Sequence, residues 1–249
     1  KLNKYASDLW SRDLPLEADR GLILDRNGVV LADNLTTTSL VLIPNQIKDK
    51  KKTTTLLADI LGVSYEEMKE HVYKETSIER VHPEGRRLSY DVAEKIAALK
   101  LDGVYLVKEA KRYYPYGNML SHSLGYVGID NQGLSGLELQ YDKYLTGKSG
   151  AIKYFSDAKG NKLNLSDIYV EPQDGMNISL TIDINIQKSL ERELDNVVDM
   201  FSPDMALAIV MNPNNGEILG MASRPDYNPN QYQDYTQEVL SRNLPIWAS

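Results

Sequence analysis

The stretch from residue 112 to 150 sets the tightest limits on what this chain can fold into. Glycines fall at 117, 125, 128, 133, 136, 147 and 150, among Tyr113, Tyr114, Tyr116, Tyr126, Tyr141 and Tyr144. Glycine permits backbone angles and close approaches denied to other residues, so this spacing predicts tight turns and close backbone contacts. One short helix over 137–145 fits between them. The chain carries 16 Tyr against 2 Phe, which suggests rings that keep one edge wet or hydrogen-bonded.

Upstream, residues 20–31 place two β-prone runs on either side of Asn27-Gly28, a strong hairpin signal because both turn residues tolerate positive φ. Residues 38–43 read as a further strand, stopped by Pro44. A helical insert follows. Leu56, Leu57, Ile60 and Leu61 share one face that ends at Gly62, and Ser64 with Glu67 spells a capping box for a second helix. A third helix begins near Ser89, with Val92, Ile96 and Leu99 inward, and residues 103–108 return to strand. The fold class is therefore α+β, with strands bracketing a helical subdomain.

Glu171-Pro172-Gln173-Asp174-Gly175 marks a boundary. Beyond it, residues 176–182 alternate as a strand, and Asp183 caps a helix with Ile186, Leu190, Leu194, Val197 and Phe201 on one stripe. Two apolar strands, 205–211 and 217–222, join through Asn214-Asn215-Gly216. Such a hairpin is expected to be covered by further chain or by another molecule, or else to be disordered.

Size and charge narrow the class. The chain has 249 residues, enough for one or two domains. With 28 Lys and Arg against 35 Asp and Glu, the net charge is −7, which disfavours nucleic acid as a partner because a phosphate backbone needs a basic face. There is no cysteine, hence no disulfide, thiolate nucleophile or Cys-bound zinc. No run approaches the roughly 20 apolar residues of a membrane span. The sequence opens at Lys1 and closes at Ser249, and both ends read as cuts in something longer.

Three short strings match serine acyl-transferase patterns: Ser156-Asp157-Ala158-Lys159, Ser241-Arg242-Asn243 and Lys148-Ser149-Gly150. They are read as coincidence. An active S-x-x-K needs a helical turn to bring the amine beside the hydroxyl, whereas Gly160-Asn161 after Lys159 spells a β-turn. The order is also wrong, because the K-[ST]-G string comes first. Gly147-Lys148-Ser149 lacks the earlier glycine of a phosphate loop, since Asp142 stands there. His71, His82 and His122 lack metal-ligand spacing. His71, beside Met68 and Val72, is read as a packing residue, and His122 as a donor of structural hydrogen bonds. Arg20, Asp25 and Arg26 sit among Leu and Ile, and are read as a structural ion-pair network with Arg112 and Glu138.

Three ordered motifs carry a family likeness. Arg20-Gly21-x-Ile23-x-Asp25-Arg26-Asn27-Gly28 is followed by Arg112-x-Tyr114-Pro115-x-Gly117 with His122 and Gly125. The third is Gly133-Leu134-Ser135-Gly136-Leu137-Glu138 with Tyr141-Asp142. Together they resemble the non-catalytic pedestal (dimerisation) domain of class B penicillin-binding proteins. Residues 176–249 resemble the opening of that family's transpeptidase domain, through Leu180-Thr181-Ile182-Asp183, Met211-Asn212-Pro213 and Ser223-Arg224-Pro225-Asp226-Tyr227-Asn228-Pro229. Within the family the likeness is greatest to the sporulation-specific member, with the vegetative cell-division paralogue as the alternative.

The resemblance implies an elongated pedestal over 1–172, with a helical head at about 45–105, and the opening of a serine transpeptidase domain over 173–249. It implies a complete protein that cross-links peptidoglycan by D-Ala-D-Ala transpeptidation, serving spore cortex synthesis if sporulation-specific. That protein would be held by a single-pass membrane anchor with its domains on the extracytoplasmic side, in the forespore intermembrane space for the sporulation member. Its nucleophile is expected beyond Ser249, so no catalytic role, cofactor or metal is assigned to any residue of this chain. Stem peptides and β-lactams would be bound only by the remaining catalytic part. A polytopic membrane glycan polymerase and a second copy of the chain are the partners implied. A stand-alone envelope interaction module without enzyme activity is the other reading.

Overall fold

The computed structural model describes residues 11–155, 168–241 and 243. In chain order, β1 (Ser11–Leu16), β2 (Ile23–Leu24) and β3 (Val30–Leu42) precede α1 (Lys50–Leu61), α2 (Tyr65–Val72), β4 (Glu79–Arg80) and α3 (Tyr90–Ala98). Next come β5 (Val104–Tyr113), the short helices α4 (Ser121–Leu124), α5 (Gly136–Gln140) and α6 (Asp142–Leu145), then β6 (Gly150–Phe155) and β7 (Ile168–Val170). The described chain closes with β8 (Ile178–Ser179), α7 (Ile184–Phe201), β9 (Ala206–Met211), β10 (Ile218–Arg224) and α8 (Gln237–Ser241). Mixed helix and strand is the class expected from the sequence. Among the described residues no helix is long and apolar enough to cross a membrane.

The chain forms two compact units, each discontinuous in sequence. The first takes the described residues of Lys1–Ala18, Thr36–Lys111 and Lys148–Gln173. Here β1, β6 and β7 make an antiparallel sheet in which Leu16 opposes Gly150 and Ala151 opposes Val170. Its helices start and stop where local chemistry directs. Asp49 caps α1 by accepting from Lys52 N–H, and Gly62 ends it in the left-handed region at φ 70°. Ser64 and Glu67 close a full capping box on α2. Leu57, Met68, Val72 and Ile96 from these helices bury against Leu40, Leu42 and Val81. A buried carboxylate, Glu109, is held in this unit by Ser39 Oγ and the Arg86 guanidinium.

The second unit comprises Asp19–Leu35, Arg112–Gly147 and the described residues of Asp174–Ser249. Strand β2 pairs antiparallel with the start of β3 and parallel with β8. Ile23, Leu31, Leu120, Leu124, Leu145 and Ile184 form its main core. The antiparallel hairpin β9–β10 runs through the expected Asn214–Gly216 turn, with Ile218 opposite Met211.

Several elements depart from expectation. The Asn27-Gly28 turn forms, but only Gly28 takes positive φ, at 85°. Asp25 accepts from the N–H groups of Asn27 (2.7 Å) and Val29 (2.8 Å). That favours a wider turn and shifts the register between Ile23 and Leu24. One strand runs from Val30 to Leu42 where two were expected. The helix over 137–145 breaks at Tyr141 (φ −107°, ψ 16°), which sets Asp142 at the start of α6. The 176–182 strand shrinks to Ile178–Ser179, the only residues that find a ladder partner in β2.

The stripe on α7 is the largest correction. Its buried residues are Ile184, Gln187, Glu191 and Leu194, while Val197 is 41% and Phe201 69% exposed. Gln187 Oε1 accepts from Met221 N–H at 2.8 Å, and its Nε2 donates to Met221 O at 2.8 Å. The helix therefore turns inward the amide that can pair with β10 backbone, because a buried backbone group left unpaired costs more than an exposed apolar side chain.

Candidate functional site

Glu138 lies in the first turn of α5 with no exposed surface. Arg20 Nε donates to its Oε2 at 2.6 Å, and Arg112 Nε donates to its Oε1 at 2.7 Å. Tyr114 approaches Oε1 with its hydroxyl at 3.3 Å. Burial, reinforced by the Glu138 charge, pushes the Tyr114 phenol well above its ordinary value, so it serves as a neutral donor.

Arg20 spends its other donors on backbone and neighbouring side chains, whereas Arg112 Nη2 is buried with no hydrogen-bond partner among the described residues. Arg20 reaches Glu138 O (2.8 Å), Asn131 O (3.0 Å), Asp142 Oδ1 (2.7 Å) and Thr146 Oγ1 (2.9 Å). Arg112 Nη1 donates to Gly21 O at 2.8 Å. Two buried cations thus face two carboxylates, Glu138 and Asp142. Arginine suits this because its planar fork stays charged and satisfies several acceptors at once. Asp142 is held below the ordinary carboxylate range: burial opposes this, but the Gly133 N–H and Arg20 outweigh it.

The glycines of the motifs make these approaches physically possible. A Cβ on Gly21 would lie 1.9 Å from Met176 O. Gly136 has φ 57°, and a Cβ there would sit 2.6 Å from Gly125 N, while one on Gly125 would meet Ser135 O at 2.0 Å. Gly117, at φ 57°, ends a turn begun by Tyr114 and Pro115, donating to Tyr114 O at 3.2 Å.

The expected network is thus only partly realised. Arg20, Arg112 and Glu138 come together, whereas Asp25 and Arg26 do not join them. Asp25 is fully buried and accepts from Asn27, Val29 and Ile184 N–H groups. Burial raises its carboxyl, yet those backbone bonds outweigh it and leave it below the ordinary value. Arg26 lies at the surface and pairs with Glu217 at 3.3 Å. Both carry local work, a turn and a strand edge, in place of the central lock.

His122 on α4 is a hydrogen-bonding residue, as expected. Its Nε2 donates to Val239 O at 2.8 Å, and its Nδ1 takes Ser223 Oγ at 3.3 Å. Burial lowers its affinity for a proton. His71 is more than a packing residue: its Nδ1 lies 2.8 Å from Glu79 Oε1 in the first unit. Among the described residues, no group of three or more His, Cys, Asp or Glu is placed to hold a metal ion.

Of the acyl-transferase strings, Ser156 and Lys159 lie outside the described residues, as does Arg242. Lys148 exchanges backbone bonds with Gln173 at 2.7 and 2.9 Å, a ladder position. Asn243 Nδ2 donates to His122 O at 3.2 Å. Sequence reasoning missed Asn34, whose Oδ1 lies 3.4 Å from Arg112 Nη1, and the buried pair Gln187–Glu191. Asn34 stands among Asp33 and Thr36–Ser39, so nothing in the local sequence marked it out.

A carboxylate with no exposed surface, held by two guanidinium groups and a tyrosine hydroxyl, is fixed in place, so this centre braces the chain. Residues 15–180 match the penicillin-binding protein dimerisation domain, and residues 206–246 match the penicillin-binding protein transpeptidase domain. Stage V sporulation protein D of Bacillus subtilis (strain 168) is 48% identical over 100% of this chain and 39% of its own length. Peptidoglycan D,D-transpeptidase FtsI of Escherichia coli (strain K12) is 30% identical over 93% of this chain and 40% of its own. The chain therefore spans about two fifths of the length of these relatives. Among solved structures, penicillin-binding protein 2 of Helicobacter pylori, determined in complex with MreC, superimposes with a TM-score of 0.64 at 25% identity, covering 89% of this chain and 44% of that one. Penicillin-binding protein 2X of Streptococcus thermophilus gives 0.61 at 26% identity, covering 88% and 36%. With both domains matched in order and the Arg20–Glu138–Arg112 brace formed from the three motifs, the chain belongs to the class B penicillin-binding proteins, carrying the dimerisation domain and the start of the transpeptidase domain.

Proposed function

We propose that this chain is the stand and the opening of the acyl-transfer domain of a membrane-anchored peptidoglycan D,D-transpeptidase of spore cortex synthesis. The identity with Stage V sporulation protein D over the whole chain supports the sporulation role. In the complete protein a serine beyond Ser249 attacks the penultimate D-Ala carbonyl. The terminal D-Ala leaves with the proton, and the acyl group passes to the amine of a neighbouring stem peptide, regenerating the serine. The chain itself contributes placement: a stand outside the membrane that holds the catalytic head at working distance. A polytopic glycan polymerase, a second copy of the chain, and a protein bound as MreC is by the Helicobacter pylori relative are the partners in this reading.

The observation that carries it is the Glu138 brace, a buried polar centre that ties the three motifs together. A fluorescent β-lactam tests it. The full-length gene product should be labelled and the 249-residue chain should not. Labelling of this chain that disappears in Ser156→Ala would overturn the assignment.

A further inference from the structure

Within the second unit, segment 114–124 is tied to segment 226–243 mainly by side chains that grip backbone groups. Asn230 acts as a substitute strand for Tyr114. Its Oδ1 accepts from Tyr114 N–H at 2.9 Å and its Nδ2 donates to Tyr114 O at 2.9 Å. Asn228 Oδ1 accepts from both the backbone N–H and the Nδ2 of Asn230 at 3.0 Å, which fixes the orientation of that amide. Tyr227 is fully buried and donates from its hydroxyl to Ser121 O at 2.9 Å. His122 donates to Val239 O on α8, and Asn243 donates back to His122 O.

These bonds are directional, whereas apolar contact would hold the segment without choosing its register. Helix α8 has five residues, too few to persist on its own helical propensity. Its position therefore depends on what grips it. Tyr114 belongs to both systems: its backbone is held by Asn230 and its hydroxyl meets Glu138. The brace and the grip on 226–243 share one residue.

We propose that Asn230 and His122 are positioning residues for acyl transfer, pinning residues 226–241 onto the braced Tyr114–Leu124 stretch. This rests on the reading that a transpeptidase serine follows Ser249. Misplacement of a reacting group by about 1 Å can cost a hundredfold in rate. Loss of the grip should therefore slow the acylation step more than it weakens the initial binding of a β-lactam.

The test uses the full-length protein and a fluorescent penicillin in single-turnover kinetics, beside thermal unfolding. Asn230→Leu and His122→Phe should lower the first-order acylation constant by about tenfold or more, leaving the half-saturating concentration within about twofold. His122→Gln, which keeps a donor near Val239 O, should restore part of the loss. Leu194→Ala, a core truncation on α7, should lower the unfolding midpoint without lowering the acylation constant. If Asn230→Leu does not fold, Asn230→Asp, which keeps the acceptor and loses the donor, carries the same criterion. Wild-type acylation constants in the folded variants would overturn the inference alone. An unreactive wild-type protein would overturn both it and the transpeptidase reading.

Discussion

Glu138 is a carboxylate whose two oxygens are each claimed by a guanidinium, with no water-exposed surface to relieve a mismatch. Removing one partner from such a buried group is costly because the others stay desolvated. Glu138→Gln should destabilise the protein by about 3–5 kcal/mol, read as a lower midpoint in urea. A loss under about 1 kcal/mol would show the centre to be dispensable for stability. Asp25 offers a pH test at the same scale. Its folded-state affinity for a proton lies below the ordinary value of about 3.9. The stabilisation is therefore fully present above about pH 4 and lost as pH falls through the folded value. Asp25→Asn should flatten the acid limb of a stability profile below about pH 4. A profile that keeps its wild-type slope there would mean that the turn bonds of Asp25 contribute nothing.

At the scale of elements, α7 shows burial decided by pairing rather than by apolarity. Gln187 meets Met221 N–H, Met221 O and Glu191 with three bonds. Gln187→Leu, though more apolar, should cost about 2–4 kcal/mol by stranding the backbone of β10. Val197→Gln, on the half-exposed apolar side, should stay within about 0.5 kcal/mol of wild type. Equal effects from the two substitutions in denaturant unfolding would refute this account of the helix. By contrast, α1 and α2 follow their local signals closely, because a cap is satisfied by residues three or four positions away. Ser64 needs only Glu67, and Gly62 needs only its own lack of a Cβ.

At the scale of the whole molecule, the hairpin β9–β10 presents Leu207, Ile209 and Met211 at 45%, 44% and 55% exposure. A two-stranded sheet with an apolar face and an open edge is a template for further pairing. The 249-residue chain studied alone should therefore associate reversibly. The double substitution Leu207→Lys with Ile209→Lys should shift its sedimentation to that of a monomer. A wild-type chain that stays monomeric with the hairpin ordered would contradict this, and with it the expectation that such a hairpin requires a cover.

What the residues alone determined was much that is local or carried by a spaced motif: α+β composition, the capped helices of 50–98, the places of the hairpin turns, and the three motifs that converge on Glu138. The partners of single charges were left to the tertiary structure. Arg20, Asp25 and Arg26 lie within seven residues of one another, yet one reaches a buried carboxylate, one holds a turn and one meets Glu217 at the surface. Likewise Gln187 and Asn230 read as ordinary polar residues until the backbone they grip, 34 and 116 positions away, is brought alongside. A hydrogen bond depends on where its partner stands in space, and for distant pairs only the folded chain sets that distance.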